Sequence, residues 1–136
     1  MKHLLILLCS LLFLTISKQA YAQDDIHYGA EETFQYWAGA APWEGIEVLN
    51  GQYWSSAHWS KEYILYMEVN VPVKMALDFI KDNRLKITAD EVKFPEDAPD
   101  WFQPLSSFKE YEAGSQGSKY FINTATGHMF IYEVQL

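Results

Sequence analysis

The segment from Gly51 to Val69, GQYWSSAHWSKEYILYMEV, sets two tryptophans, a histidine and several hydroxyl side chains directly ahead of an apolar run. Aromatic rings beside hydrogen-bonding side chains are the equipment of a binding face, because a ring offers apolar area and its neighbours offer direction. Catalysis asks for more. Ser55, Ser56 and Ser60 surround His58, but a hydroxyl nucleophile must be held against a base, and no G-x-S-x-G turn is present. A phosphate cradle needs a glycine-rich loop that opens a helix, whereas AGSQGS at 113–118 leads into a strand. His27, His58 and His128 match no metal-ligand spacing, and nothing selects two acids from the 18 as a hydrolytic pair. No catalytic residue, metal or cofactor is therefore expected.

The candidate binding residues depend on which rings face the core. A short loop at 57–60 sets Trp54 opposite Tyr63, on the face of Leu65, Met67 and Val69. That face must be buried, since side chains one apart point to opposite sides of a strand. Trp54 is then a core residue. Tyr53, His58 and Trp59 are left as the candidate binding residues, with His58 at the loop tip.

These residues need elements to hold them. Glu31 to Ala38 predicts a short helix presenting Phe34 and Trp37, ended by Gly39. Ile46 to Leu49, then Asn50-Gly51, then Gln52 to Ser56 predicts a hairpin with a tight two-residue turn. Glu62 to Val71 alternates with period two and marks a strand with one buried face. Beyond Pro72, the spacing of Val73, Ala76, Leu77 and Ile80 predicts an amphipathic helix with Leu77 on its core stripe. Prolines 95, 99 and 104 break the next stretch into a loop that Trp101 and Phe102 pin to the core. Strands at 108–112, 119–123 and 128–134 make a closing meander, with Phe130, Tyr132 and Val134 on one face and Glu133 and Gln135 on the other. The expected fold is α+β: a small antiparallel β-sheet of hairpins and a C-terminal meander, packed by one main amphipathic helix.

Within that meander, YFINTATG (Tyr120 to Gly127) resembles the second strand and turn of a WW domain. The family's second tryptophan and closing proline are absent, and the likeness covers one hairpin. What it implies is shared turn chemistry: Asn123 and Thr126 bond the turn backbone while Gly127 takes a positive φ. It assigns no family.

The N-terminus carries an address. Lys2 and His3 precede an apolar stretch from Leu4 to Ile16, and Ala20-Tyr21-Ala22 forms a small-residue cleavage site. This is the pattern of a secretory signal peptide over 1–22, with an apolar core too short to span a bilayer. The rest, 23–136, is expected to be a single domain. Cleavage removes Cys9, the lone cysteine, so the exported chain would fold without disulfides. It also removes Lys2 and Lys18 and no acid, which makes the formal charge of −8 more negative by two. Such a charge disfavours nucleic acid and anionic membrane surfaces, and stable membrane insertion of the mature form is not expected.

Export, small size, abundant aromatics and the missing catalytic pattern together point to a periplasmic or secreted, non-enzymatic binding module. Its partner would be a protein or an envelope component. One alternative is a carbohydrate or peptidoglycan-fragment binder acting through exposed aromatics. Another is a hydrolase with a carboxylate-based site.

Overall fold

The computed structural model describes residues 25–57, 59–89, 94–114 and 116–136. The leader at 1–22 and His58 lie outside the described residues. Seven strands and two helices follow in the order β1 (Asp25–Tyr28), α1 (Ala30–Ala38), β2 (Glu47–Ser55), β3 (Tyr63–Asn70), α2 (Val73–Asp82), β4 (Lys86–Ala89), β5 (Lys109–Glu112), β6 (Lys119–Asn123) and β7 (His128–Gln135). The strands form one antiparallel sheet in the order β1-β2-β3-β7-β6-β5-β4. After β3 the chain crosses through α2 to the far edge. It then meanders back until β7 pairs with β3, so one of the two longest pairings closes last in sequence. The α+β class holds, with more sheet than helix among the described residues. None of the described helices is long and apolar enough to cross a membrane.

Both faces of this sheet are covered. On one face Leu65, Met67, Val69, Ile122, Met129 and Ile131 form a core with Phe34 of α1 and Ala76 of α2. Two helices, not one, thus reach the main core. On the other face Tyr66, Phe121 and Phe130 pack with Phe102 and Phe108 from the proline-broken connection between β4 and β5. Phe102 stands edge-on to Tyr66, Phe121 and Phe130 with centroid distances of 5.2, 5.9 and 5.4 Å. The expected pinning of that loop is observed. The single buried face expected for β3 is not: Tyr66 is as buried on the loop side as Val69 is on the helix side.

The local signals explain the helices. Glu31 and Glu32 occupy the first turn of α1, where carboxylates favour the positive end of the helix dipole. Gly39 closes α1 at φ 71°, donating its N–H to the Gln35 carbonyl. In α2 the buried position is Ala76, with Phe79 and Ile80 packed beside it. Leu77, expected on the core stripe, is 48% exposed. The apolar positions of α2 cover more than one side, and the smallest of them takes the closest approach to the sheet.

Two further expectations are corrected. Asn50-Gly51 is not a hairpin turn; β2 runs straight through it, with an irregularity between Val48 and Asn50. In addition, Tyr63 pairs with Ser55, so Tyr53 stands opposite Leu65 and Trp54 opposite Ile64. Trp54 therefore faces the loop side of the sheet, and Tyr53 faces the helix side. The β2–β3 connection is longer than the loop assumed from the sequence: Ser56 N–H donates to the Glu62 carbonyl at 2.9 Å. That lengthening moves every side chain of β2 to the other face. The β6–β7 turn, by contrast, forms as expected. Asn123 Oδ1 accepts from Ala125 N–H at 3.0 Å, Thr126 Oγ1 accepts from His128 N–H at 3.3 Å, and Gly127 has φ 79°.

Candidate functional site

Of the residues singled out in the sequence, Tyr53 and Trp59 have different surroundings. Trp59 projects from the β2–β3 connection at 95% exposure. Tyr53 lies between two rings, His27 at 4.4 Å and Tyr36 at 4.1 Å, both nearly parallel to it. Neither face of its ring is free for a ligand. Burial, then the nearby Glu32 carboxylate, pushes its hydroxyl pKa up, so the phenol stays neutral. Trp54 borders a groove of about 320 Å³ on the loop side, with Gln52, Ile64, Tyr66 and Asp97.

A different concavity is the more ligand-like. Between α1, the connection after it and α2 lies an open pocket of about 300 Å³. Phe34 and Trp37 come from α1, Trp43 and Ile46 from the connection, and Met75 and Phe79 from α2. The sheet floors it with Val69, Met129 and Ile131. The rings brace one another: Phe34 meets Trp37 at 5.8 Å and Trp43 at 5.5 Å, and Trp37 meets Phe79 at 6.0 Å. Trp43 is 55% exposed, so much of its ring area is left uncovered. Asp78, Asp82 and Asn83 are the polar residues of the lining. Small-molecule pockets share this makeup, mostly apolar with a few polar groups that fix orientation. Sequence reasoning missed it because Trp43 and Ile46 sit in a non-periodic connection, and nothing local ties them to Met75.

A second, polar cleft opens on the same side of the sheet, nearer the β2–β3 connection. Part of its lining is the Glu133 carboxylate. Tyr63 donates to Oε2 at 3.1 Å and Tyr120 to Oε1 at 2.7 Å. Burial first, then this carboxylate, raises both phenol pKa values, that of Tyr63 to about 12. Glu133 stands opposite Leu65, so it belongs to the helix-covered face.

The loop side carries a third polar group. His128 Nε2 lies 2.8 Å from Glu68 Oε1, and Asn50 Nδ2 donates to Glu68 Oε2 at 2.7 Å. The imidazole packs against Phe108 and Phe130, with centroids at 5.0 and 5.1 Å. Among the described residues no serine or threonine hydroxyl bonds to either of these two side chains, and the pair acts as a structural clasp between β2, β3 and β7. Farther along the same side, the buried Glu110 pairs with Lys119 and accepts from Thr88 Oγ1 at 3.2 Å. Among the described residues, no three histidines, cysteines or acids group closely enough to hold a metal ion.

No protein-family model matches this chain, and no curated protein or solved structure matches it either. The function has to be read from its own geometry.

Proposed function

We propose that this chain is a small exported module that binds a partner without transforming it, and that its site is the apolar pocket between α1 and α2. The observation that carries the reading is that pocket: aromatic walls from three separate segments, open to solvent, with Trp43 left half uncovered beside it. Burying a ring of this size gains free energy roughly in proportion to the area removed from water, and here that area is offered to a partner. The occupant would be an apolar group of a protein or of an envelope component. Export rests on the Leu4 to Ile16 stretch and the Ala20-Tyr21-Ala22 site. The mature form would begin at Gln23 in the periplasm or the medium. Mass spectrometry of the exported protein checks that start.

The pocket is tested with a neutral apolar dye, Nile red, titrated into the 23–136 form. Saturable binding is expected, and it should be lost in Met75→Glu and weakened in Trp43→Ala. Both positions are partly solvent-exposed, so both variants should stay folded. Unchanged dye binding in the two variants would overturn the assignment.

A further inference from the structure

The polar cleft around Glu133 shares Trp37 with the apolar pocket, but the rest of its lining is different in residues and in chemistry. It comprises two neighbouring concavities, here called lobes, of about 530 and 390 Å³, which share Tyr63 and Gln135 in their linings, with Glu133 in the smaller. Each lobe is within the size range of small-molecule sites. Trp37 and Tyr36 supply aromatic surface to the larger lobe. The polar groups carry both signs, Lys61 beside Glu62 in one lobe and Glu133 in the other. Such a lining favours neither a phosphate nor a bare cation.

Two details point to a ligand rich in hydroxyl groups. Ser56 lines the larger lobe, yet its Oγ is closed off from solvent in this conformation and has no hydrogen-bond partner among the described residues. A buried hydroxyl without a partner is costly, and a ligand group that both donates and accepts would remove that cost. Glu133 is the second detail. Each of its oxygens takes one phenol, which fixes the carboxylate in place, and each oxygen retains a lone pair for another donor.

We infer that this cleft is a carbohydrate subsite that seats a neutral disaccharide unit. One sugar ring lies in each lobe. The C–H face of the first packs on the aromatic surface at Trp37. Its hydroxyl groups reach Ser56 Oγ once that side chain has turned about χ1, and those of the second donate to Glu133. The inference does not depend on the apolar pocket, and it uses rings other than Trp59 and Tyr53.

Isothermal calorimetry of the 23–136 form with maltose, cellobiose and N,N′-diacetylchitobiose tests it. At least one of the three should bind saturably. Ser56→Ala should weaken that sugar about tenfold or more, a change in binding equal to about 1.4 kcal/mol, without lowering Tm. Gln135→Ala, at an exposed position that borders both lobes, should weaken it too. Trp43→Ala should leave sugar binding unchanged, and the sugar should not displace Nile red. Absence of saturable binding by all three sugars overturns the inference. So does a sugar affinity untouched by both Ser56→Ala and Gln135→Ala, or displacement of the dye by the sugar. None of these results bears on whether the apolar pocket binds the dye.

Discussion

A Cβ placed on Gly51 would stand 2.5 Å from both Cβ and Oγ1 of Thr33. It would also stand 2.8 Å from the Gly29 carbonyl oxygen. The missing side chain is what lets the first turn of α1 lie directly on β2, where Gly29 N–H donates to the Gly51 carbonyl at 3.1 Å. Gly51→Ala should therefore lift α1 off the sheet and cost about 1–3 kcal/mol, the usual range for overpacking. Urea melts measure it. A loss near zero would mean that α1 does not dock there.

The same glycine shows where sequence reading stops. Asn-Gly signals a turn because both residues tolerate positive φ, but at this position glycine is used for space. At Gly127 it is used for both: φ is 79°, and a Cβ would fall 1.9 Å from the Val71 carbonyl oxygen. Turn chemistry that closes on itself, as at Asn123 and Thr126, was legible. So were the strong period-two strand, the short helix at Phe34 and the pinned proline loop. What depends on distant partners was not. The face of Trp54 turned on the length of a loop, and the burial of Ala76 rather than Leu77 turned on how closely α2 meets the sheet. Glu133 takes its phenols from residues 70 and 13 positions away, and no spacing announces that.

Leu65→Ala should destabilise the domain by about 2–5 kcal/mol, as emptying a fully buried position does. Leu77→Ala should cost under about 1 kcal/mol, because the side chain is half in solvent. Chemical denaturation of the two variants gives the contrast directly. Equal losses would place Leu77 in the core after all.

Trp59→Ala should change stability by no more than about 0.5 kcal/mol, as expected of a side chain almost wholly in water. Trp54→Ala should cost more, about 1–3 kcal/mol, since its ring is partly covered on the loop side beside Ile64 and Tyr66. Thermal melts rank them. If Trp59 proved the costlier loss, the β2–β3 connection would be packed in a way this structure does not have.

Stability should fall steeply at alkaline pH, and the fall should be traceable to three phenols. Tyr63 and Tyr120 donate to Glu133, and Tyr66 donates to Asp97 at 2.7 Å, tying the proline loop to β3. For all three, burial is the largest cause of a raised pKa, and the partner carboxylate adds to it. The folded chain thus keeps these protons at a pH where the unfolded chain, titrating near 10.0, has begun to release them. When the unfolded state binds fewer protons, stability declines as pH rises. The contribution is fully present below pH 10.0 and is lost as pH climbs through the folded values, about 12 for Tyr63. Tm measured across this window should drop more gently in the Tyr63→Phe/Tyr120→Phe double variant than in the parent chain. Glu133→Gln should flatten the drop less than the double variant does, because it removes the carboxylate but leaves the burial. A double variant with the parent's slope would show that neither phenol is buried against Glu133.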